Sequence, residues 1–175
     1  PSIESSLKST DTEEFIDLLR DVRERESLAA LAKKETSPVI TLTDGQLELY
    51  HEPRKDPDFD KKFKEFQDAL SDLALNKVIT AGYVDRPRAD LVVRMLELLQ
   101  EPDPTEPRPL EGVTDLTLFR DILNPGERSA IFQLQSSSAK FYEGKKSLHF
   151  FYINVGSETL PALARVEVPL WVAED

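Results

Sequence analysis

Carboxylates are the side chains of this sequence that could do chemistry. The chain has 33 Asp and Glu residues against 22 Lys and Arg, with two histidines and no cysteine. A zinc site built from Cys and His is therefore excluded. The sequence has no Gly-x-Ser-x-Gly elbow and no glycine-rich phosphate loop, so neither a serine hydrolase nor a phosphate-loop enzyme is indicated. Because carboxylate oxygens suit hard divalent cations, the composition favours metal-dependent hydrolysis.

Asp44 is the carboxylate that the pattern places directly against a core strand. It follows a β-branched run, residues 39–43, and precedes Gly45 and an alternating run, residues 46–50. Two interpretations are open. Asp-Gly is a favoured pair for a type I′ turn, which predicts a hairpin. Alternatively, Asp44 ends a buried strand, where its carboxylate could hold a divalent metal.

The elements that must position Asp44 are predicted from the spacing of apolar residues. Apolar residues at helical spacing alternate along the chain with short β-rich runs, which is typical of an α/β domain with a mixed sheet flanked by helices. The predicted helices cover residues 11–34, 57–76, 89–100 and 115–123, and the predicted strands cover residues 39–43, 78–84, 129–134, 148–155 and 164–172.

The first helix is expected to be capped by Ser9, Thr10 or Asp11. Its charged residues are most simply interpreted as a solvent-facing side with pairs three and four residues apart. These residues are Arg20, Arg23, Glu24, Arg25 and Glu26.

The last strand carries two charges on one face. Arg165 and Glu167 are two residues apart, so a partly buried charge network is predicted there. Pro169 cannot donate a ladder hydrogen bond, which predicts an edge strand or a bulge. An exposed apolar end of this strand, including Trp171, would suit a docking surface.

The length and the net charge of the chain limit the classes of protein to which it can belong. The chain has 175 residues and a net charge of −11, which argues against an extended nucleic-acid grip but permits a local basic channel. No apolar run reaches the roughly 18 residues of a membrane span, and the first residues given show no signal-peptide pattern. The absence of cysteine fits a cytoplasmic protein. The first residue is Pro1 rather than Met, and both ends look cut, so a piece of a longer protein is expected.

Six motifs together resemble one known family. In chain order they are Thr43-Asp44-Gly45, Ala-Gly-Tyr-Val-Asp-Arg-Pro-Arg at residues 81–88, Leu118-Phe119, Pro-Gly-Glu-Arg-Ser-Ala-Ile-Phe at 125–132, Phe-Phe-Tyr-Ile-Asn at 150–154 and Ala-Arg-Val-Glu-Val-Pro-Leu-Trp at 164–171. Their order and spacing resemble the NurA nuclease domain in its bacterial and cyanobacterial form.

The resemblance implies a partial, single NurA-like nuclease domain over residues 1–175, with an RNase H-like fold. It implies a deoxyribonuclease that depends on Mn²⁺ or Mg²⁺ and acts as a 5′-to-3′ exonuclease and single-strand endonuclease. It also implies a homodimer that works with a HerA-type hexameric ATPase in DNA end resection and double-strand break repair. The alternative is a non-catalytic scaffold that docks on such a ring or on another copy.

The resemblance also assigns residues. Asp44 matches the family's second Asp-Gly motif, and the helix glutamate of the metal site falls at Glu26, the preferred position, or at Glu24. Apart from the resemblance, basic groups must line the approach of an anionic phosphate, and Arg86, Arg88 and Arg128 are the candidates, with ordinary surface arginines as the alternative interpretation. The family's first Asp-Gly-Ser motif and its C-terminal Tyr/His motif are absent from this sequence.

Overall fold

A computed structural model describes residues 3–49, 57–100 and 108–174, with side chains from Phe15 onward in the first of these ranges. The helices and strands, in chain order, are α1 (Ile3–Ala32), β1 (Ile40–Asp44), α2 (Pro57–Leu75), β2 (Ile79–Asp85), α3 (Leu91–Gln100), α4 (Asp115–Phe119), β3 (Phe132–Gln133), β4 (Leu148–Asn154), β5 (Leu163–Pro169) and α5 (Leu170–Ala173). Two short 3₁₀ turns, Ala139–Phe141 and Gly144–Lys146, lie between β3 and β4.

The five strands form one mixed sheet in the order β1-β2-β5-β4-β3. β1 and β2 are parallel, and the other neighbouring pairs are antiparallel. The predicted α/β class, a mixed sheet flanked by helices, is confirmed.

β1 does not belong to a hairpin. Its partner is the distant strand β2, and the Gly45 N–H donates to the Tyr83 carbonyl at 2.8 Å, which extends this parallel ladder by one bond. Gly45 has φ +119°, a conformation that glycine adopts without strain. Asp44 is therefore the last residue of a strand, as the second interpretation required, but β1 is an edge strand with alternate residues exposed rather than a buried strand.

The core lies on one face of the sheet. Thr41 and Thr43 of β1 are buried on that face, whereas Ile40 and Leu42 are 70% and 60% exposed on the other. Helices α1 and α2 pack against each other over the buried face. They contribute apolar residues at spacings of three and four, namely Leu18, Val22, Ala29 and Ala32 from α1 and Phe59, Phe66, Ala69, Leu70 and Leu73 from α2.

Several predicted boundaries differ from the structure. α1 begins at Ile3, so the predicted cap at residues 9–11 is wrong and these residues lie inside the helix. The predicted strand 129–134 shortens to two residues. Ser129 contacts β4 at Tyr152, where its N–H donates to the Tyr152 carbonyl and its hydroxyl oxygen accepts the Tyr152 N–H, so no regular ladder forms there. Residues 170–172 turn into α5 instead of continuing β5.

Pro169 does not mark an edge strand. β5 lies between β2 and β4, in the middle of the sheet. The ladder between β2 and β5 ends at the pair Gly82 and Glu167, so Pro169 lies beyond it and costs no hydrogen bond on that side. Proline is tolerated at such a strand end, where it also precedes α5.

Helix α3 buries only a small part of its apolar surface. It buries Val92, Val93 and Glu97 and leaves much of its apolar surface exposed. The exposed residues are Met95, Leu96, Leu98 and Leu99. No helix in the part of the chain that the structure describes combines the length and apolar content needed to cross a bilayer.

Candidate functional site

A cavity of about 340 Å³ lies between α1 and the chain that leaves β1. Asp44 lines it at the carboxyl end of β1. Four further carboxylates line the same cavity, three from α1 and one from the segment after Asp44, and they are Asp17, Asp21, Glu24 and Glu48. The cavity therefore gathers acidic oxygens around the end of a sheet strand.

The three acids of α1 share one side of the helix. Asp17, Asp21 and Glu24 are separated by four and three residues, which places them in one row along the helix surface. Arg20 lines the cavity beside them and lies 3.5 Å from an oxygen of Asp17 and 3.9 Å from one of Asp21. This exposed arginine offsets part of the negative charge at the rim.

The segment after Asp44 is held in place by backbone hydrogen bonds. It crosses directly over Gly82 of β2, where a Cβ atom would lie 2.7 Å from the Gly45 carbonyl oxygen and 2.9 Å from the Leu47 nitrogen. The Leu47 N–H then donates to Glu167 Oε2 at 2.9 Å, and the Leu49 N–H donates to the Tyr142 hydroxyl at 2.7 Å. Any side chain at Gly82 would displace this wall of the cavity.

Glu48 lies between those two backbone contacts and is 5% exposed. Burial raises the pKa of its carboxyl, and the nearby Glu167 acts in the same direction. The Ser136 hydroxyl, which donates to Glu48 Oε1, and the more distant Arg165 act to lower that pKa. Glu48 is thus a carboxyl that holds its proton more readily than an exposed glutamate does.

Arg25 forms part of the cavity floor, which corrects its interpretation as a solvent-facing residue. It is 3% exposed, because it occupies the core stripe of α1 between Val22 and Ala29. Its Nη1 donates to Thr43 Oγ1 at 2.7 Å, and its guanidinium carbon lies 5.4 Å from the centre of the Phe66 ring. Burial lowers the pKa of Arg25, while Glu24, Tyr142 and Asp21 act to raise it.

The two candidate glutamates of α1 lie on different surfaces. Glu24 lines the cavity with Asp44. Glu26 lies two residues further along the helix, about 200° around its axis, and lines a separate groove of about 540 Å³ between α1 and α2. The structure therefore brings Glu24, rather than the preferred Glu26, into the same cavity as Asp44.

The three candidate arginines lie outside the cavity, at the edge of the sheet where β1 ends. Arg86 directly follows β2, which is parallel to β1, and its side chain is 88% exposed beside Asp85. Arg88 is exposed two residues later. Arg128 pairs with Ile153 near the end of β4, which points the same way as β2, and its guanidinium lies over the Phe151 ring.

Several cavity residues were not singled out from the sequence. The row of Asp17, Asp21 and Glu24 has a sequence signal, namely carboxylates at four- and three-residue spacing on one helix. Arg25 also has a sequence signal, because it lies at helical spacing of three and four residues from the apolar residues Leu18, Val22 and Ala29. No local signal identifies Glu48, since its burial depends on contacts with residues about 90 and 120 positions away.

Metal binding is supported by the chemistry of the donors but not by their convergence. Carboxylate oxygens are the ligands that Mn²⁺ and Mg²⁺ prefer. Among the residues that the structure describes, however, no three Asp, Glu or His side chains come together closely enough to hold one ion. The described residues therefore supply suitable donors without forming a complete metal centre.

The fold and the cavity define a mixed α/β domain with an acidic cavity at the carboxyl end of its parallel strands. The profile of the NurA domain family matches residues 2–175, so the chain belongs to this family, which is associated with nucleases. The resemblance seen in the motifs is thereby confirmed. No curated protein and no solved structure matches the chain.

Proposed function

We propose that the chain is the nuclease domain of a metal-dependent deoxyribonuclease that acts on DNA ends. The observation that carries this proposal is the cavity itself, in a chain of the NurA family: Asp44 ends β1 and shares the cavity with acids of α1. The proposed activity is 5′-to-3′ exonuclease and single-strand endonuclease cleavage. Its setting is a cytoplasmic homodimer with a HerA-like hexameric ATPase in double-strand break repair and end resection.

Within this proposal, Asp44 and Glu24 are the residues that would hold Mn²⁺, or Mg²⁺, together with Asp21 or Asp17. When bound, such an ion supplies charge neutralisation at the phosphodiester and a more acidic water. The carboxylates of the chain provide the oxygen donors. The wall formed by residues 45–49 limits the access of bulk water, since Leu47 and Leu49 are buried.

The proposed path of the nucleic acid follows the sheet edge at which β1, β2 and β4 end. Arg86, Arg88 and Arg128 are candidates for contact with backbone phosphates along this edge. Such contacts give affinity without sequence preference and make it dependent on salt. A net charge of −11 fits a local rather than an extended basic surface.

The test is Mn²⁺-dependent digestion of end-labelled single-stranded DNA by the full-length protein. Asp44→Asn should reduce the cleavage rate at least about 100-fold, because even outer partners of metal ligands contribute 10–100-fold. Asp68→Asn is the matched control. Asp68 of α2 lines the separate groove with Glu26 and does not line the cavity, so this variant should cleave like wild type. Equal rates for wild type and Asp44→Asn would refute the assignment.

A second candidate, a non-catalytic scaffold, is favoured by one observation. No three acidic or histidine side chains converge within the described ranges, as a catalytic metal centre would require. A scaffold would bind an ATPase ring or a second copy and would show no Mn²⁺-dependent cleavage. Binding without cleavage by the full-length protein would decide for this candidate.

A further inference from the structure

We propose that Arg25 is the phosphate contact of the acidic cavity. Its guanidinium would donate hydrogen bonds to a non-bridging oxygen of a DNA phosphodiester bound there. This inference rests on the proposed function, because that function names the phosphodiester as the substrate class. It adds a residue with the opposite charge to the five carboxylates of the cavity.

The first observation is that Arg25 is buried and forms no direct ion pair among the described residues, although Glu24 and Asp21 lie near enough to raise its pKa. The residue is 3% exposed, and its Nε has no hydrogen-bond partner. Thr43, a neutral residue, is the hydrogen-bond partner of its Nη1. Within the described part of the chain, no Asp or Glu forms an ion pair with Arg25. A guanidinium has five N–H donors, and the Nε–H of Arg25 is one that the protein leaves without an acceptor.

Arg165 shows how the same fold treats a buried arginine with a structural role. Arg165 is 4% exposed, and its Nη2 lies 2.8 Å from Glu167 Oε1. Its Nε also lacks a partner, but its charge is matched by a buried carboxylate. Leaving a buried charge unmatched is costly. Arg25 therefore differs from Arg165 in the one contact that a bound anion would supply.

The location of Arg25 indicates which anion would fit. Thr43, its hydrogen-bond partner, directly precedes Asp44, so the guanidinium lies beside the end of β1. Carboxylates at the rim would repel a bare anion, whereas a phosphate that arrives with a divalent cation satisfies both the acids and the guanidinium. The planar guanidinium also matches two phosphate oxygens better than a lysine ammonium does.

The test combines a substitution in the protein with single phosphate replacements in the DNA. The measured quantity is the affinity of the full-length protein for fluorescent single-stranded DNA. Ca²⁺ replaces Mn²⁺ as a cation chosen to allow binding without cleavage. One phosphate at a time is replaced by a neutral methylphosphonate. For wild type we expect one position at which the replacement weakens binding about 10-fold, the size of one charged hydrogen bond. In Arg25→Lys that position should lose its sensitivity.

Arg23→Lys is the matched control, because Arg23 is exposed on the same helix and does not line the cavity. It should keep the wild-type profile. A measurement on wild type alone guards against misfolding of Arg25→Lys. In the ¹⁵N spectrum, the Nε–H signal of Arg25 should shift when the DNA is added, and that of Arg165 should not.

The outcomes separate this inference from the proposed function. Loss of the sensitive position in Arg25→Lys supports a phosphate contact, even if the protein never cleaves DNA with Mn²⁺. Equal sensitivity in Arg25→Lys and wild type, or an Arg25 Nε–H signal unchanged by DNA, overturns it, even if cleavage is observed. Failure of wild type to bind the probe overturns both.

Discussion

At the residue scale, two neighbouring glutamates of α1 provide a sharp test of the cavity. Glu24 lines the cavity with Asp44, and Glu26 lines the other groove. Glu24→Gln should lower the Mn²⁺-dependent cleavage rate at least about 100-fold, as expected for a group that holds a metal directly. Glu26→Gln removes the same charge from the same helix and should stay within about 2-fold of wild type.

The measurement is the release of labelled nucleotide from single-stranded DNA at several Mn²⁺ concentrations. Partial rescue of Glu24→Gln at high Mn²⁺ would identify weakened ion binding as the cause of the loss. The reverse pattern, with Glu26→Gln inactive and Glu24→Gln active, would restore Glu26 as the ligand and refute the placement of the site in this cavity.

The buried pair Arg165 and Glu167 is a residue-scale prediction about stability. The predicted network is present, with both side chains almost fully buried and the Leu47 N–H donating to the same carboxylate. Glu167→Gln should lower the free energy of unfolding by about 3–5 kcal/mol, because Arg165 would remain buried without its partner.

The control for this change is Asp72→Asn, which breaks the ion pair of Asp72 with Lys33. That pair is 2.7 Å long, but both side chains are nearly half exposed, so the loss should be at most about 1 kcal/mol. Urea unfolding monitored by circular dichroism compares the two. Equal midpoints for Glu167→Gln and wild type would contradict the account.

At the element scale, α3 depends on one buried carboxylate. Glu97 accepts hydrogen bonds from Arg108 Nε, Arg94 Nη1 and the Leu110 N–H, and these contacts hold the segment that begins at Arg108 against the helix. Burial acts to raise the pKa of Glu97, but the hydrogen bonds and the charge of Arg108 together lower it below its ordinary value of 4.5.

The sign of the pH dependence follows from that shift. A carboxyl whose pKa is lower in the folded state stabilises the protein above its unfolded pKa, and this stability is lost as the pH falls through the folded pKa. The melting temperature of wild type should therefore fall as the pH drops below about 4.5. In Glu97→Gln the same decline should be shallower, while the melting temperature at pH 7 should be lower. Parallel pH curves for the two proteins would refute this role.

Another element-scale feature is the cap at the N-terminus of α3. Asp115, fully buried at the start of α4, accepts the N–H groups of Val92 and Val93 and the hydroxyl of Tyr152. The cap of α3 thus comes from a residue more than twenty positions later. Such a contact depends on tertiary structure, and no local pattern reports it.

Local patterns sufficed where a single element decided the outcome. The stripe of α2 and the strand before Asp44 follow from spacing alone, and both are present. Local patterns failed where the tertiary environment determines burial. Arg25 is a charged residue of the kind usually found at the surface, but it occupies a core position of α1. α3 has the reverse difficulty, since its apolar Leu98 and Leu99 are exposed while Glu97 is buried.

At the scale of the whole molecule, the sheet topology gathers the candidate residues at one edge. β1, β2 and β4 point the same way, so their carboxyl ends lie along one edge of the sheet. Asp44 ends β1, Arg86 follows β2, and Arg128 pairs with Ile153 near the end of β4. Three strand spacings of about 4.8 Å separate β1 from β4 in the sheet. The proposed path of the nucleic acid between these strand ends is therefore about 14 Å long.

The last prediction concerns the activity of the 175-residue chain by itself. It should cleave single-stranded DNA with Mn²⁺ only weakly, since its described residues do not bring three acidic or histidine ligands together and catalysis by metal ions needs the ligands held in place. A longer protein that contains this chain should cleave at a higher rate, and Asp44→Asn should abolish that activity. The measurement is single-turnover digestion of end-labelled DNA by both proteins at matched concentration. If the 175-residue chain is fully active and this activity requires Asp44, then ion binding brings the carboxylates of the cavity together. Inactivity of the longer protein, combined with binding to an ATPase ring, would instead establish the scaffold.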